Sequence, residues 1–364
     1  MSAPTKQTAS SEAMDVLSRL VLSPALDEAH EAAQLRSMSE EQFETFVSMA
    51  HSNHVVIRGM EVYRRLMLNA GDLERAERAA EILAEEHARI AVATDNLQKL
   101  AQAFRQANLD LTVIKTLDHW PDFGSDIDLY TNAEPNRVAA FMQQSFQATI
   151  SARSWGDRLA GKWNFEIPGL PEAVEIHMCR LGQTGEQLTL AKNIPARSRV
   201  LSFGDKTFQV AAASDRILIS TLQRMYRHFY FRLCDIVDSA SLVQSGSLNF
   251  DDLRQWAEAC GIWPGAATYL VLVSDYVQRY SGSPLALPDF VRKAARFDGK
   301  AMYCGGMFLR VPILPQSAGL YGTQLLGLVK TGQFQSSARL GLLPWLASAA
   351  AVGYKMTGSD KGIW

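Results

Sequence analysis

Asp126 and Asp128 are separated by one apolar residue in Gly124-Ser125-Asp126-Ile127-Asp128-Leu129-Tyr130, a segment that reads as a β-strand. Residues i and i+2 of a strand share a face, so both carboxylates point the same way while Ile127 and Leu129 enter the core. Two like charges that close are unfavourable unless a cation sits between them. Hard oxygen donors converging on one point suit Mg²⁺, with Mn²⁺ as a possible substitute, bound through carboxylates and substrate phosphates. An arbitrary Asp-x-Asp is more often a solvated strand end. Here the apolar flanks, the preceding Gly124-Ser125 and the strand-like Val113-Ile114-Lys115-Thr116-Leu117 upstream favour the metal reading.

A third acid lies about fifty residues on, in Ala173-Val174-Glu175-Ile176-His177, another short strand. Delivered beside the first two, Glu175 would complete a three-carboxylate, two-ion site of the kind used in phosphoryl and nucleotidyl transfer. Glu175 is equally readable as an exposed strand residue. His177 shares its face and is either an orienting group, a base or a plain surface histidine. The expectation is that Asp126, Asp128 and Glu175 converge on a shared divalent ion.

A second constellation follows. Arg224, His228 and Arg232 are spaced i, i+4, i+8, with Arg227 beside them and Asp235 a turn on. On one helix face they would form a cationic wall for a triphosphate or an acidic acceptor; otherwise they pair with acids of neighbouring helices. The aromatic residues between them, Tyr226, Phe229, Tyr230 and Phe231, read as core. His51 and His54 sit i, i+3 and could bind metal, although no acids stand nearby.

The elements that must position these groups form an α+β pattern: a mixed β-sheet core flanked by N-terminal and C-terminal helical regions. Residues 1–12 read as a disordered tail, 13–107 as helical, 108–213 as the α/β core and 214–364 as helical with an apolar tail. Strands are predicted at 111–117, 126–131, 148–154, 162–168 and 174–179, with a hairpin over 202–209. A helix from Glu134 to Phe146 separates the two acidic strands. Asp72 caps the strongest helix, which runs to Ala107, and Ser214 or Asp215 caps a long helix through Ile236.

The chain has 364 residues, a formal net charge of −2 and 20% charged residues, so it carries no global electrostatic footprint for nucleic acid. The four cysteines, Cys179, Cys234, Cys260 and Cys304, show no pairwise metal spacing and read as reduced residues of a cytoplasmic protein. The N-terminus has no apolar export signal. The segment LGLLPWLASAAAVGYKM is short for a membrane span and contains Pro344, which leaves an interfacial helix, a packed hairpin or peripheral membrane contact.

Over roughly residues 100 to 245 the chain resembles the polymerase-beta-like nucleotidyltransferase superfamily, in its bacterial branch of uncharacterised nucleotidyltransferases. The resemblance is carried by Val113-Ile114-Lys115-Thr116, Asp126-Ile127-Asp128-Leu129, Val174-Glu175-Ile176-His177 and the later RMYRHFYFRLCDIVDSASLV, in order and strand context. It implies a nucleotidyltransferase core that moves a nucleoside monophosphate from a nucleoside triphosphate to a small-molecule, sugar-phosphate or protein hydroxyl. Asp126, Asp128 and Glu175 would then be catalytic and metal-binding. Lys115, Thr116, Ser125, His177, Arg224, Arg227 and His228 would handle substrate. One departure stands out: Thr116, followed by Leu117, occupies the place of the superfamily's glycine, and the Gly-Ser pair abuts Asp126 directly. Thr116 could donate to a phosphate and Lys115 could add charge; alternatively the cradle is altered and the chain is a non-catalytic or regulatory binding module. A metal-dependent glycosyltransferase is the third reading, disfavoured because about a hundred helical residues precede the acidic pair.

Overall fold

A computed structural model describes residues 6–346 and 348–349. Five helices come first: α1 (Lys6–Leu22), α2 (Glu28–Arg36), α3 (Glu40–Ser52), α4 (Val56–Asn69) and α5 (Leu73–Gln106). Asp72 caps α5 by accepting the Arg75 N–H, as its sequence predicts. Helix α1 begins at Lys6, so the tail expected over 1–12 is helical from that residue on; residues 1–5 lie outside the described part.

The core follows, with β1 (Thr112–Val113), β2 (Asp126–Thr131), α6 (Pro135–Phe146), β3 (Thr149–Ile150), α7 (Trp155–Ala160), β4 (Lys162–Glu166), β5 (Ala173–Met178), α8 (Leu188–Arg197), β6 (Arg199–Phe203) and β7 (Lys206–Val210). They build a seven-stranded mixed sheet in the order β3-β4-β5-β2-β1-β7-β6. Strands β2 and β5 are parallel neighbours, with Asp128 opposite Glu175 in the register, while β1 runs antiparallel to β2. Ile127, Leu129, Val174 and Ile176 are fully buried on one face, and that alternation locks the register, because a one-residue slip would bury the acids instead. The α+β arrangement expected from the sequence is the observed one.

Three predicted elements differ. The strand over 111–117 stops at Val113, because Lys115 adopts φ 62°, ψ −55° and Thr116 begins a 3₁₀ turn through His119. The strand over 148–154 shrinks to β3, because Ser154 opens α7 with a reciprocal cap to Asp157. The long helix to Ile236 is broken. It comprises α9 (Ala213–Gln223), a wide π-type turn over Arg224–His228, Phe229 at φ 55°, β8 (Tyr230–Phe231) and α10 (Leu233–Gln244). A helical period runs through this stretch, but Tyr230 and Phe231 are strand formers.

Helices α11 (Phe250–Ala259), α12 (Trp263–Ser281) and α13 (Asp289–Ala294) lead to β9 (Tyr303–Gly305) and β10 (Phe308–Arg310), the second of which pairs with β8. Helices α14 (Ala318–Lys330) and α15 (Phe334–Gly341) follow, and residues 343–346 and 348–349 beyond them are helical. One hydrophobic core runs from α1 to α14, and Ser18 of α1 shares a buried 2.7 Å hydroxyl hydrogen bond with Tyr276 of α12. Among the described residues no helix is long and apolar enough to cross a membrane. The apolar C-terminal segment lies partly outside the described residues.

The broken helix rests on α12 through Gly265. A Cβ there would stand 2.3 Å from the Tyr226 hydroxyl oxygen, and the ring is a stiff neighbour. Gly265→Ala is expected to cost about 1–3 kcal/mol, the range for overpacking a filled core; a urea midpoint unchanged from the parent would show that Tyr226 yields freely.

Candidate functional site

Strands β2 and β5, the turn after β1 and the turn after α9 close around a polar cavity of about 230 Å³. Its floor is the carboxylate pair. Asp128 and Glu175 lie side by side because their strands are parallel and in register, and Lys115 Nζ sits between them, paired with Asp128 and 3.6 Å from Glu175 Oε1. Lys162 of β4 holds the other oxygen of Glu175 at 2.5 Å, and His177 Nε2–H donates to Glu175 Oε1 at 2.8 Å. Glu175 thus has three partners. Burial pushes its carboxyl upward, but Lys115, His177 and Lys162 together hold it well below the usual range. Asp128 goes the other way: burial and the neighbouring Glu175 outweigh Lys115 and push it up to about 7. Of the two, Glu175 keeps its charge and Asp128 takes a proton first.

Lys115 reaches this place by an unusual backbone. Its φ and ψ, together with the 2.6 Å hydrogen bond from the Thr116 N–H to the Ile114 carbonyl, define a γ-turn with positive φ, a strained conformation for a residue with a side chain. Strand alternation through this stretch would send only one of Lys115 and Thr116 into the cleft. Because the strand ends at Val113, both line it. The Thr116 hydroxyl works within the fold: it accepts the Asp128 N–H at 2.7 Å and donates to the Asp126 carbonyl at 3.4 Å, continuing the pairing that β1 leaves off. Lys115 contacts the two carboxylates.

Asp126 does not join the tight cluster. The side chains that bring ligand atoms within 4.8 Å of one another are Asp128, Glu175 and His177. Asp126 opens β2, exposed, with only the Ser125 hydroxyl 3.3 Å from its Oδ2. Its exposed side chain lines the same cavity without a hydrogen bond to either acid of the pair. The loop before it is held by Arg89 of α5, which donates to the carbonyls of Phe123 and Gly124 and pairs with Glu172 at 3.1 Å.

The wide turn supplies the opposite wall. Breaking the helix removes the i, i+4, i+8 stripe and redistributes its members. Arg224 is buried, forms an ion pair with Asp235 Oδ2 across 2.7 Å and lies over the Tyr230 ring, so its charge is already spent. Asp235 also accepts the Arg232 N–H at 2.7 Å, which ties the turn to the start of α10. His228 lines the cavity as a neutral imidazole, since burial and the surrounding arginines push its pKa down to about 2. Arg227 and Arg232 also line it, and neither has a carboxylate partner among the described residues. Two half-buried guanidinium groups without counter-charge leave this wall cationic.

Sequence reasoning did not find Lys162, because a lysine opening a strand gives no signal until β4 pairs with β5. Nor did it find His119, which enters the cavity from the 3₁₀ turn. His54, noted for metal binding, lines the same cavity, whereas His51 is exposed.

The residues of the floor fit a divalent cation. They offer two adjacent carboxylates, and His177 Nδ1 is buried with no hydrogen-bond partner. Such an ion would share its place with the Lys115 ammonium.

No family model matches the chain, and no curated protein matches its sequence. Among solved structures, the chain is similar to the crystal structure of an antigenic nucleotidyltransferase-like protein from Paracoccidioides brasiliensis, with 16% sequence identity and a TM-score of 0.31, over 44% of this chain and 82% of that chain.

Proposed function

We propose that the chain is a Mg²⁺-dependent nucleotidyltransferase that moves a nucleoside monophosphate from a nucleoside triphosphate to a hydroxyl acceptor. The observation that carries this reading is the pairing of walls: Asp128 and Glu175 on one side, and Arg227 and Arg232 without counter-charge on the other. Arg227 and Arg232 bind the phosphates as planar donors. Asp128 and Glu175, with Asp126 at the mouth, hold Mg²⁺ or Mn²⁺, which supplies charge neutralisation at the transferred phosphate. The acceptor oxygen bonds to the α-phosphorus, the bond to the β-phosphate oxygen breaks, pyrophosphate leaves and the acceptor's proton passes to a carboxylate of the group. Ser125, beside Asp126, and His177, donating to Glu175, keep the acids oriented.

The ion pair between Lys115 and the carboxylates favours a second reading, a module that binds nucleotide without catalysis, with the ammonium standing permanently where the cation would be. Incubation with each labelled nucleoside triphosphate, Mg²⁺ and hydroxyl acceptors separates the two. Pyrophosphate release supports catalysis. Tight nucleotide binding without turnover, unchanged by Mg²⁺, supports the module.

Triphosphate affinity is expected to weaken with salt. Arg227→Ala and Arg232→Ala are each expected to lose about 1.5–3 kcal/mol of binding, the range for charged hydrogen bonds, and to flatten that dependence. Calorimetry at several salt concentrations reads both, and unchanged affinity in both variants would make the arginines structural.

A further inference from the structure

On the wall of the same cleft a second cluster, distinct from the carboxylate pair, has no part in nucleotide transfer. His54, His119 and Cys234 each bring a ligand atom within 4.8 Å of the other two. They come from three segments: the turn after α3, the 3₁₀ turn before β2 and the first turn of α10. His119 Nδ1–H donates to Asp238 Oδ2 at 2.6 Å, and the other oxygen of Asp238 accepts from Arg58 at 3.0 Å. That carboxylate holds a proton on Nδ1 and turns Nε2 toward Cys234 Sγ, 3.9 Å away. Zinc–sulfur and zinc–nitrogen bonds of about 2.3 and 2.0–2.1 Å at a tetrahedral angle span about 3.6 Å between the two ligand atoms. The observed separation is close to that of two ligands of one ion.

His54 completes the set. Its Nδ1 is buried with no hydrogen-bond partner, its ring lies edge-on to His119 with centroids 5.5 Å apart, and its backbone is held at φ 52°. The neighbouring Asn53 fastens the arrangement: its Oδ1 accepts the Leu233 N–H at 2.9 Å and its carbonyl accepts the Cys234 N–H at 3.2 Å. The turn that carries His54 is thereby tied to the helix start that carries Cys234.

We propose that His54, His119 and Cys234 are the ligands of a zinc-class ion, two imidazoles and one thiolate, with the fourth position facing the cleft. Both histidines line that cleft and Cys234 is fully buried behind them. The donor set is softer than the oxygen-rich carboxylate floor, which separates the two sites by metal preference. Asp238 supports His119 as carboxylates commonly support metal-bound histidines. Binding forms the metal–sulfur bond and releases the thiol proton to solvent. The site stands independently of nucleotide transfer.

The test uses the full chain, stripped with chelator and titrated with Co²⁺, a spectroscopic stand-in for zinc. One thiolate-bound Co²⁺ per chain is expected, with a thiolate-to-cobalt charge-transfer band in the near ultraviolet and tetrahedral bands in the visible, all lost when Zn²⁺ is added. Cys234→Ser should abolish the charge-transfer band. Asp238→Asn should weaken binding about 10–100-fold, and Asp128→Asn should leave the bands in place. Should Cys234→Ser fail to fold, His54→Ala, a change in a half-buried turn, should weaken Co²⁺ at least tenfold with an unaltered metal-free melting curve. No thiolate band at saturating Co²⁺, a band that survives Cys234→Ser, or full Co²⁺ affinity in folded His54→Ala overturns the site. Cys234 that is alkylated equally fast with and without Zn²⁺ overturns it too, and points instead to a free thiol–imidazole pair.

Discussion

Glu175→Ala is expected to lower stability by about 3–5 kcal/mol, because it leaves buried cations without their counter-charge. Glu175 is the common partner of Lys115, Lys162 and His177, and only Lys115 has another carboxylate close at hand in Asp128; Lys162 keeps a weaker 3.7 Å contact with Asp157. Asp126→Asn, at an exposed position with a single side-chain contact, should stay within about 0.5 kcal/mol of the parent. Equilibrium unfolding in urea compares the two directly. Similar midpoints for both variants would mean that Glu175 is no hub.

Asp128→Asn should separate stability from chemistry. Burial and Glu175 already drive Asp128 toward its neutral form, so a neutral isostere removes a like-charge conflict and should leave the unfolding midpoint equal or higher. Turnover in nucleotidyl transfer, by contrast, should fall on the order of 10²–10³, the scale for losing one preorganised group that stabilises developing charge. Mn²⁺ affinity, read by electron paramagnetic resonance, should weaken in parallel. If Asp128→Asn keeps both full Mn²⁺ affinity and full turnover, the carboxylate pair is not the metal site.

The sequence makes β2 and β5 readable because their alternation is strict: buried aliphatic residues interleave with acids, and the period of two specifies the face of each side chain. That Asp128 and Glu175 would be neighbours was within reach, since both follow from strand order. Which third group joins them was not. Asp126 and His177 each stand two residues from the pair, on opposite sides of it, and His177 joins because its longer side chain folds back to hydrogen-bond Glu175; alternation alone gives the face without the distance. The stripe on Arg224, His228 and Arg232 failed for another reason. Helical spacing continues through Phe229, but pairing of β8 with β10 and the double use of Asp235 fix a different backbone. These are long-range contacts with no local trace. The cluster of His54, His119 and Cys234 is still less legible, since its members are scattered over about 180 residues and only the fold brings them together.

The Lys115 ammonium between Asp128 and Glu175 bears on how the protein comes into being. In domains whose acidic or thiolate sites stay unneutralised without an ion, the fold waits for the metal and a chelator unfolds it. Here one of the chain's own side chains, carried on the turn just after β1, quenches the repulsion between β2 and β5 as soon as the sheet closes. Closure of the sheet therefore needs no divalent ion to offset this pair of acids. Any ion that later enters the floor does so by exchange with an internal cation, which makes its occupancy reversible and sensitive to concentration.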